Sequence, residues 1–399
     1  MAVTVIGAGF GPLPEGAEKE LAGADLVVGT RWDLDAFAPD GARTVEISSL
    51  ETALNALSAL AGDENGVLLA DGDPGFFGAV RRLRERGIRC SALPSPGAAQ
   101  LMAARLGRSW DDVAVLCPRE GDLTRVVNVC RARSALVLAV PGVGPSQIGA
   151  ALRGWRRTMV VAEDLGGPEE ELTTLSPAEA ANRPWREHSV VLCTSDLDEV
   201  PPRQWIAGGQ ALPDDGWALP EEAFAHREGV VTGSEVRAVA LSKLAPRAGA
   251  LVWDVGAGCG SVAVECARLG AAAIAVESDE SQVVRMVTNA TGHGVDVRVE
   301  EGRAPAALRS LPRPDSVFVG GGGSDVVTAC AHAGAERVVV ALPALERVAA
   351  TRDSLRHAGY EVSAVQVSAN RLVESEDEGS RLAAADPVVL VSGVRGQAS

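Results

Sequence analysis

The sequence predicts an α/β protein of two units, each built on mainly parallel sheet. Three observations lead there. Short, almost continuous Val/Ile/Leu runs alternate with Ala/Leu/Arg-rich helical patterns along the whole chain. Two separate glycine clusters each follow such a run, at Gly7–Gly11 and Gly256–Gly260. Between the halves lies a stretch without periodicity, Pro201–Pro220, rich in proline and glycine and carrying Trp205 and Trp217. We expect units at residues 1–205 and 223–399, with a linker at 206–222.

In order, the expected strands of the first unit are Thr4–Ile6, Leu26–Val28, Val67–Ala70, Ala135–Val140, Met159–Ala162 and Val190–Cys193. The patterning restarts after Gly121, which suggests two lobes. The second unit runs Ala250–Val255, Ala273–Val276, Val295–Glu300, Ser316–Val319, Arg337–Ala341 and Glu361–Val367. Val388–Ser392 reads as a last strand, antiparallel at the sheet edge.

Composition narrows the function. The 399 residues carry 37 basic and 53 acidic side chains, a formal charge of −16, and only 4% are aromatic. That argues against a nucleic-acid binder. Seven cysteines, odd in number and without a C-x-x-C pair, read as reduced thiols and not as a disulfide framework or a metal site. The start lacks the features of a signal peptide and no apolar run suits a bilayer span, so the chain is expected in the cytoplasm, away from membranes.

The most specific local signal is Asp254-Val255-Gly256-Ala257-Gly258-Cys259-Gly260-Ser261. Glycines between a strand and a helix permit a sharp turn and close approach of a ligand to the main chain. A nicotinamide site wants G-x-G-x-x-G, whose last position here is Ser261. The spacing present, with an acid two residues before the first glycine, is that of Rossmann-like S-adenosylmethionine (SAM) methyltransferases. Asp254 is then expected at the methionine end, and Glu277, closing the next strand, on the ribose hydroxyls. In the first unit, Gly7-Ala8-Gly9 makes a poor dinucleotide loop because Pro12 replaces the third glycine. Asp71-Gly72-Asp73-Pro74-Gly75-Phe76-Phe77-Gly78 puts an acidic turn at a strand's carboxyl end, where open α/β sheets bind ligands. The arginines of the helix at 79–86 read as a solvated face.

The pair G-x-G and G-D-P-x-F-F-G resembles the class III, or tetrapyrrole, methylases. Pro94-Ser95-Pro96-Gly97, Glu163-Asp164-Leu165-Gly166-Gly167-Pro168, Glu235–Leu241, Trp253–Gly260 and Phe318–Gly322 agree. The two halves in this order resemble the fused precorrin-6B C(5,15)-methyltransferase (decarboxylating) family of cobalamin biosynthesis. The resemblance implies a two-lobed class III methylase fold followed by a class I Rossmann-like SAM methyltransferase fold. It implies SAM as cofactor, no metal, a tetrapyrrole substrate and a homo-oligomer. It implies cofactor contacts at Gly7, Gly9, Asp71, Gly72, Asp73, Phe76, Asp254, Gly256, Gly258, Gly260, Glu277, Gly302, Arg303 and Ala304. Substrate carboxylates call for arginines, so Arg119, Arg237 and Arg371, with Thr232, are the expected substrate contacts. Four places depart from the family pattern: Cys117 stands for a histidine, Gly233 for a lysine, Arg303 for an acid, and Ala341-Leu342-Pro343 for an Asn-Ala-Val-like stretch. No general acid for the decarboxylation is named by the sequence.

Overall fold

The structure is a computed structural model and describes residues 2–9, 12–47, 49–186, 188–198, 206–207, 213, 215–227, 231–375 and 379–396. Three sheets follow one another along the chain. The first holds β1 (Ala2–Ala8), β2 (Leu26–Gly29), β3 (Arg43–Glu46), β4 (Asn65–Asp71) and β5 (Cys90–Leu93), all parallel, in the order β3-β2-β4-β1-β5. β1 and β4 are buried nearly throughout because helices cover both faces, which is why they read as unbroken apolar runs.

The second sheet holds β6 (Ala114–Leu116), β7 (Ala135–Leu138), β8 (Thr158–Glu163), β9 (Glu171–Leu175) and β10 (Val190–Thr194), in the order β6-β7-β10-β8-β9. It departs from the expected parallel pattern. Only β6 and β7 pair in parallel, and β10 is antiparallel to both its neighbours. The lobe boundary also moves, from Gly121 to the Pro94–Gly97 loop. The helix Ala98–Leu106 buries Ala99 and Met102 against Leu136, Val160 and Leu192 of the second sheet, so it belongs to that lobe.

The third sheet holds β11 (Leu251–Val255), β12 (Ala272–Glu277), β13 (Val297–Glu301), β14 (Ser316–Val319), β15 (Arg337–Leu342), β16 (Tyr360–Val367) and β19 (Val388–Arg395), in the order β13-β12-β11-β14-β15-β19-β16. A hairpin, β17 (Asn370–Ser375) and β18 (Gly379–Ala384), stands apart from it. The last strand is antiparallel as expected but does not lie at the edge. It inserts between β15 and β16, where Val389, Leu390 and Val391 are buried, and leaves the mostly exposed β16 outermost.

The linker expected at 206–222 lies in part outside the described residues, and the acidic turn expected at 375–379 has 376–378 outside them. Leu219, within that stretch, is no linker residue. It is buried with Phe224, Cys259, Val264 and Ala290, and its amide donates to Glu265 at 2.7 Å.

The second lobe docks on the third sheet through its helix Leu123–Ala132. Asn128 donates to the Gly249 carbonyl at 3.0 Å, and Arg157 pairs with Asp296 at 2.9 Å. Trp155 joins the core beneath Leu251, Ile274 and Val317. Gly249 and Asp296 precede β11 and β13, so the docking covers the amino ends of these parallel strands. Their carboxyl ends stay open.

Candidate functional site

Two sites emerge, each at the carboxyl edge of a parallel sheet. In the first sheet β1, β4 and β5 end side by side, bringing Gly9, Gly72 and Ser95 together. The packing there is main chain on main chain. A Cβ on Gly7 would lie 2.1 Å from the Gly72 carbonyl oxygen and 2.6 Å from the Ser95 amide. Gly72 is held at φ +65°, and a Cβ there would meet Cα of Gly97 at 2.8 Å. Ser95 ties the corner by donating to the Gly7 carbonyl at 2.7 Å. Only glycine fits these contacts.

Above this corner a cavity of about 600 Å³ opens between the two lobes. Asp71, Gly72, Asp73 and Phe76 line its first-lobe wall. Gly7 and Gly9 are not lining residues. They stand behind Gly72 and set its height. Burial and the nearby Asp33 push the Asp71 carboxyl up, against a smaller pull from His188. Arg119 was the expected cation here, but it is exposed and does not line the cavity. Its amide only closes a turn on Asp122 at 3.0 Å. The cleft's cation is Arg186, paired with Glu169 at 2.8 Å, and beside it stands His188. Sequence reading missed both. They lie in an aperiodic stretch before β10, and only lobe closure sets them opposite Asp71.

In the second unit β11 and β14 lie side by side where the strand order reverses, β12 and β13 being added on one side and β15 on the other, the place where a crevice forms. Gly256 sits at φ +69° with Gly321 so close that a Cβ would lie 2.7 Å from its amide. Gly258, at φ +56°, has open space where a side chain would go, and a Cβ on Gly260 would strike Met286. Two adjoining cavities share Gly256 and Gly258 in their walls. One of about 530 Å³ is lined by Glu277, Gly302, Arg303 and Ala304. The other, about 780 Å³, is lined by Thr232, Asp254 and Arg371 and roofed by the β17–β18 hairpin.

Asp254 is 1% exposed. One carboxylate oxygen, Oδ2, accepts from the Ala263 amide at 2.9 Å, while Oδ1 is buried without a partner among the described residues. Burial pushes this carboxyl up to about 7, aided by the charge of Glu277. Glu277 accepts from the amides of Gly258 at 2.9 Å, Ser278 at 2.7 Å and Asp279 at 2.9 Å, so it locks the glycine loop to β12. A carboxylate has about four acceptor sites, leaving room for a hydroxyl donor. These residues fit SAM: an unsatisfied acceptor for its ammonium, an acid for its ribose, and main chain stripped of side chains between them.

The expected substrate arginines divide. Arg237 is fully buried and cannot touch a ligand. Its guanidinium pairs with Glu265 at 3.4 Å, donates to the carbonyls of Leu219 and Thr232, and lies 4.7 Å from the Phe224 ring. It is framework. Arg371 reaches the cavity from β17. Its Nη2 donates to Glu221 at 2.6 Å and Glu235 at 2.9 Å. These bonds hold the Glu235 carboxyl below its ordinary value; at Glu221 burial raises the carboxyl, and the Arg371 bond together with the amides of Glu221 and Ser234 brings it below its ordinary value. Neither glutamate was expected at the site, since each reads as an ordinary surface acid.

Comparison with known proteins agrees with this arrangement. Residues 2–181 match the tetrapyrrole (corrin/porphyrin) methylases, and residues 222–390 match the precorrin methyltransferase domain. The chain is 35% identical to a precorrin-6Y C(5,15)-methyltransferase [decarboxylating] of Sinorhizobium sp over 342 residues, covering 81% of this chain and 79% of that protein. It is 32% identical to the protein of the same name from Mycobacterium tuberculosis over 83% of each chain. The solved C-terminal domain of a precorrin-6Y C5,15-methyltransferase from Rhodobacter capsulatus is 34% identical, with 45% of this chain and 97% of that one covered at a TM-score of 0.40.

Proposed function

We propose that this chain, which belongs to the decarboxylating precorrin-6Y C(5,15)-methyltransferase family, transfers methyl groups from SAM to two meso carbons of a precorrin, one in each unit, and that the second unit also releases carbon dioxide from an acetate side chain. Members of this family use SAM, which when bound supplies a methyl group activated on a sulfonium sulfur. The units are taken as residues 1–205 and 223–399. The reading takes the protein to be a cytoplasmic homo-oligomer whose partner is a small tetrapyrrole, with neither nucleic acid nor membrane involved; no helix among the described residues is long and apolar enough to cross a bilayer.

The observation that carries the reading is the pairing, in one chain, of two unlike glycine-walled sites. The chain's own task at each is to hold carbon, methyl and sulfur in line and to exclude water. In the first unit Gly72 and Asp73 present main chain and Phe76 presents an apolar face. In the second, Asp254 holds the ammonium, Glu277 the ribose, and Gly302–Ala304 border the base. Arg371 and Arg186 each stand paired with exchangeable acids, so a substrate carboxylate can take the place of Glu235 or Glu169 without stranding a buried charge. With a net charge of −16, capture of a polycarboxylate rests on these local arginines and not on the global field.

The test is to incubate the full chain with methyl-labelled SAM and the precorrin and to count methyl groups and carbon dioxide. Two methyls and one carbon dioxide per product are expected, and Asp254→Ala should lower the methyl count while sparing cofactor binding in the first unit. No methyl transfer by the unaltered protein sinks the reading.

A further inference from the structure

Methylation of a meso carbon is a substitution. A carbon–methyl bond forms as the sulfur–methyl bond breaks, and the carbon–hydrogen bond must then break, returning its electron pair to the conjugated ring. In the first unit, where no carbon dioxide is lost, one proton therefore leaves for the methyl delivered, and a side chain placed in the cleft can take it. We propose that His188 is the catalytic residue that accepts this proton in the first unit, a role resting on the methyltransferase reading above.

Most titratable groups facing the cleft are engaged. From the first lobe, Asp73 accepts from the Gly75 amide at 2.8 Å, and Asp71 stands at the exposed end of β4 within the field of Asp33. From the second lobe, Asp164 folds back on the Glu169 amide at 2.8 Å, and Glu169 pairs with Arg186. Arg186 is a cation and accepts nothing. His188 differs. The other four histidines, His226, His293, His332 and His357, each set a ring nitrogen against a backbone carbonyl at 2.8–3.0 Å. His188 makes no hydrogen bond to any described residue and lines the wall opposite the glycine corner. Its charge is felt by Asp71 across the gap, so a carboxylate stands ready to stabilise the imidazolium that forms. Its backbone is held at φ +62°, a conformation uncommon for a residue with a side chain, and Asp164 on the same wall shares it at +48°. Such conformations persist where surrounding structure imposes them, and they gather at working sites.

The experiment follows methylation at that meso carbon in the full chain with carbon-13-labelled SAM. His188→Asn and His188→Gly both suit the left-handed backbone, so neither is expected to disturb the fold. Each should lower kcat for this methylation by about 10²–10⁴, while S-adenosylhomocysteine affinity at the cleft stays within about twofold (RT ln 2, about 0.4 kcal/mol). Added imidazole should restore His188→Gly, and deuterium at the meso carbon should slow the variants more than the unaltered protein. An Asn variant that keeps the original rate overturns the proposal, as does a rate loss matched by an equal loss of affinity or a Gly variant that imidazole does not restore. Absence of methyl transfer by the unaltered chain overturns the methyltransferase reading itself, and this proposal with it.

Discussion

The two glycine corners look alike in sequence and work by different physics. At Gly7, Gly72 and Ser95 the main chains of three parallel strands touch, and shape alone makes the cradle. At Gly256–Gly260 the loop is looser, with open space beside Gly258, and two carboxylates, Asp254 and Glu277, tie it down. A close-packed backbone corner is rigid without any charge. A carboxylate site needs its charge kept in reserve, and burial of Asp254 without a partner for Oδ1 is what keeps it.

That contrast can be broken at several points. The largest effect is expected at Arg237. It and Arg268 neutralise Glu265 on the helix Ser261–Arg268, directly behind the charged loop. Arg237→Ala leaves the buried Glu265 with only Arg268 and the Leu219 amide, and strips the Leu219 and Thr232 carbonyls of their donor; it should cost about 3–5 kcal/mol, read as an earlier urea transition of the second unit. A substrate contact would instead raise KM and leave that transition in place.

Next comes Asp254. Losing a hydrogen bond to a charged group should weaken S-adenosylhomocysteine at the second unit by about 1.5–3 kcal/mol, seen by calorimetry of Asp254→Asn. The pH dependence has two opposite signs. Asp254 titrates near 7 in the ligand-free fold against an ordinary 3.8, so between these values the folded chain holds a proton that the unfolded chain has lost. Its contribution to stability is full below about pH 4 and is lost as pH rises through about 7. Cofactor affinity runs the other way, because the ammonium needs the ionised carboxylate. It should climb with pH and level off above about 7, and Asp254→Asn should flatten both curves.

Gly7→Ala tests the uncharged corner. Its Cβ would drive backbone against backbone and should cost about 1–3 kcal/mol, with loss of cofactor binding in the first unit at every pH. Gly9→Ala, whose nearest neighbour would be the Gly72 amide at 3.6 Å, should cost far less. The smallest effect belongs to Arg371→Ala. Its ion pairs are half open to water, so stability should change by less than about 1 kcal/mol, while KM for the precorrin rises.

What could be read early was what is local. Asp254 sits two residues before a glycine loop, and Glu277 closes the next strand, so strand, turn and helix periodicity place them without knowledge of the rest. Arg237 misled because a lone arginine on a helix carries no mark of its surroundings. The carbonyls of Leu219 and Thr232 that enclose it come from segments without periodicity. β19 misled likewise, since an apolar run announces burial but not which two strands will flank it.

The sequence by itself determined the α/β class, the two units in their order, the glycine corners and the acids beside them. These are short-range patterns, fixed by backbone freedom and side-chain period within about 25 residues. The tertiary structure decided which cations line the cavities, Arg186 and Arg371 in place of Arg119 and Arg237, and it set His188 and Asp71 in the walls of one cleft. Those pairings join residues more than a hundred positions apart. They depend on how lobes close and where a strand inserts, and that is settled by the packing of whole surfaces.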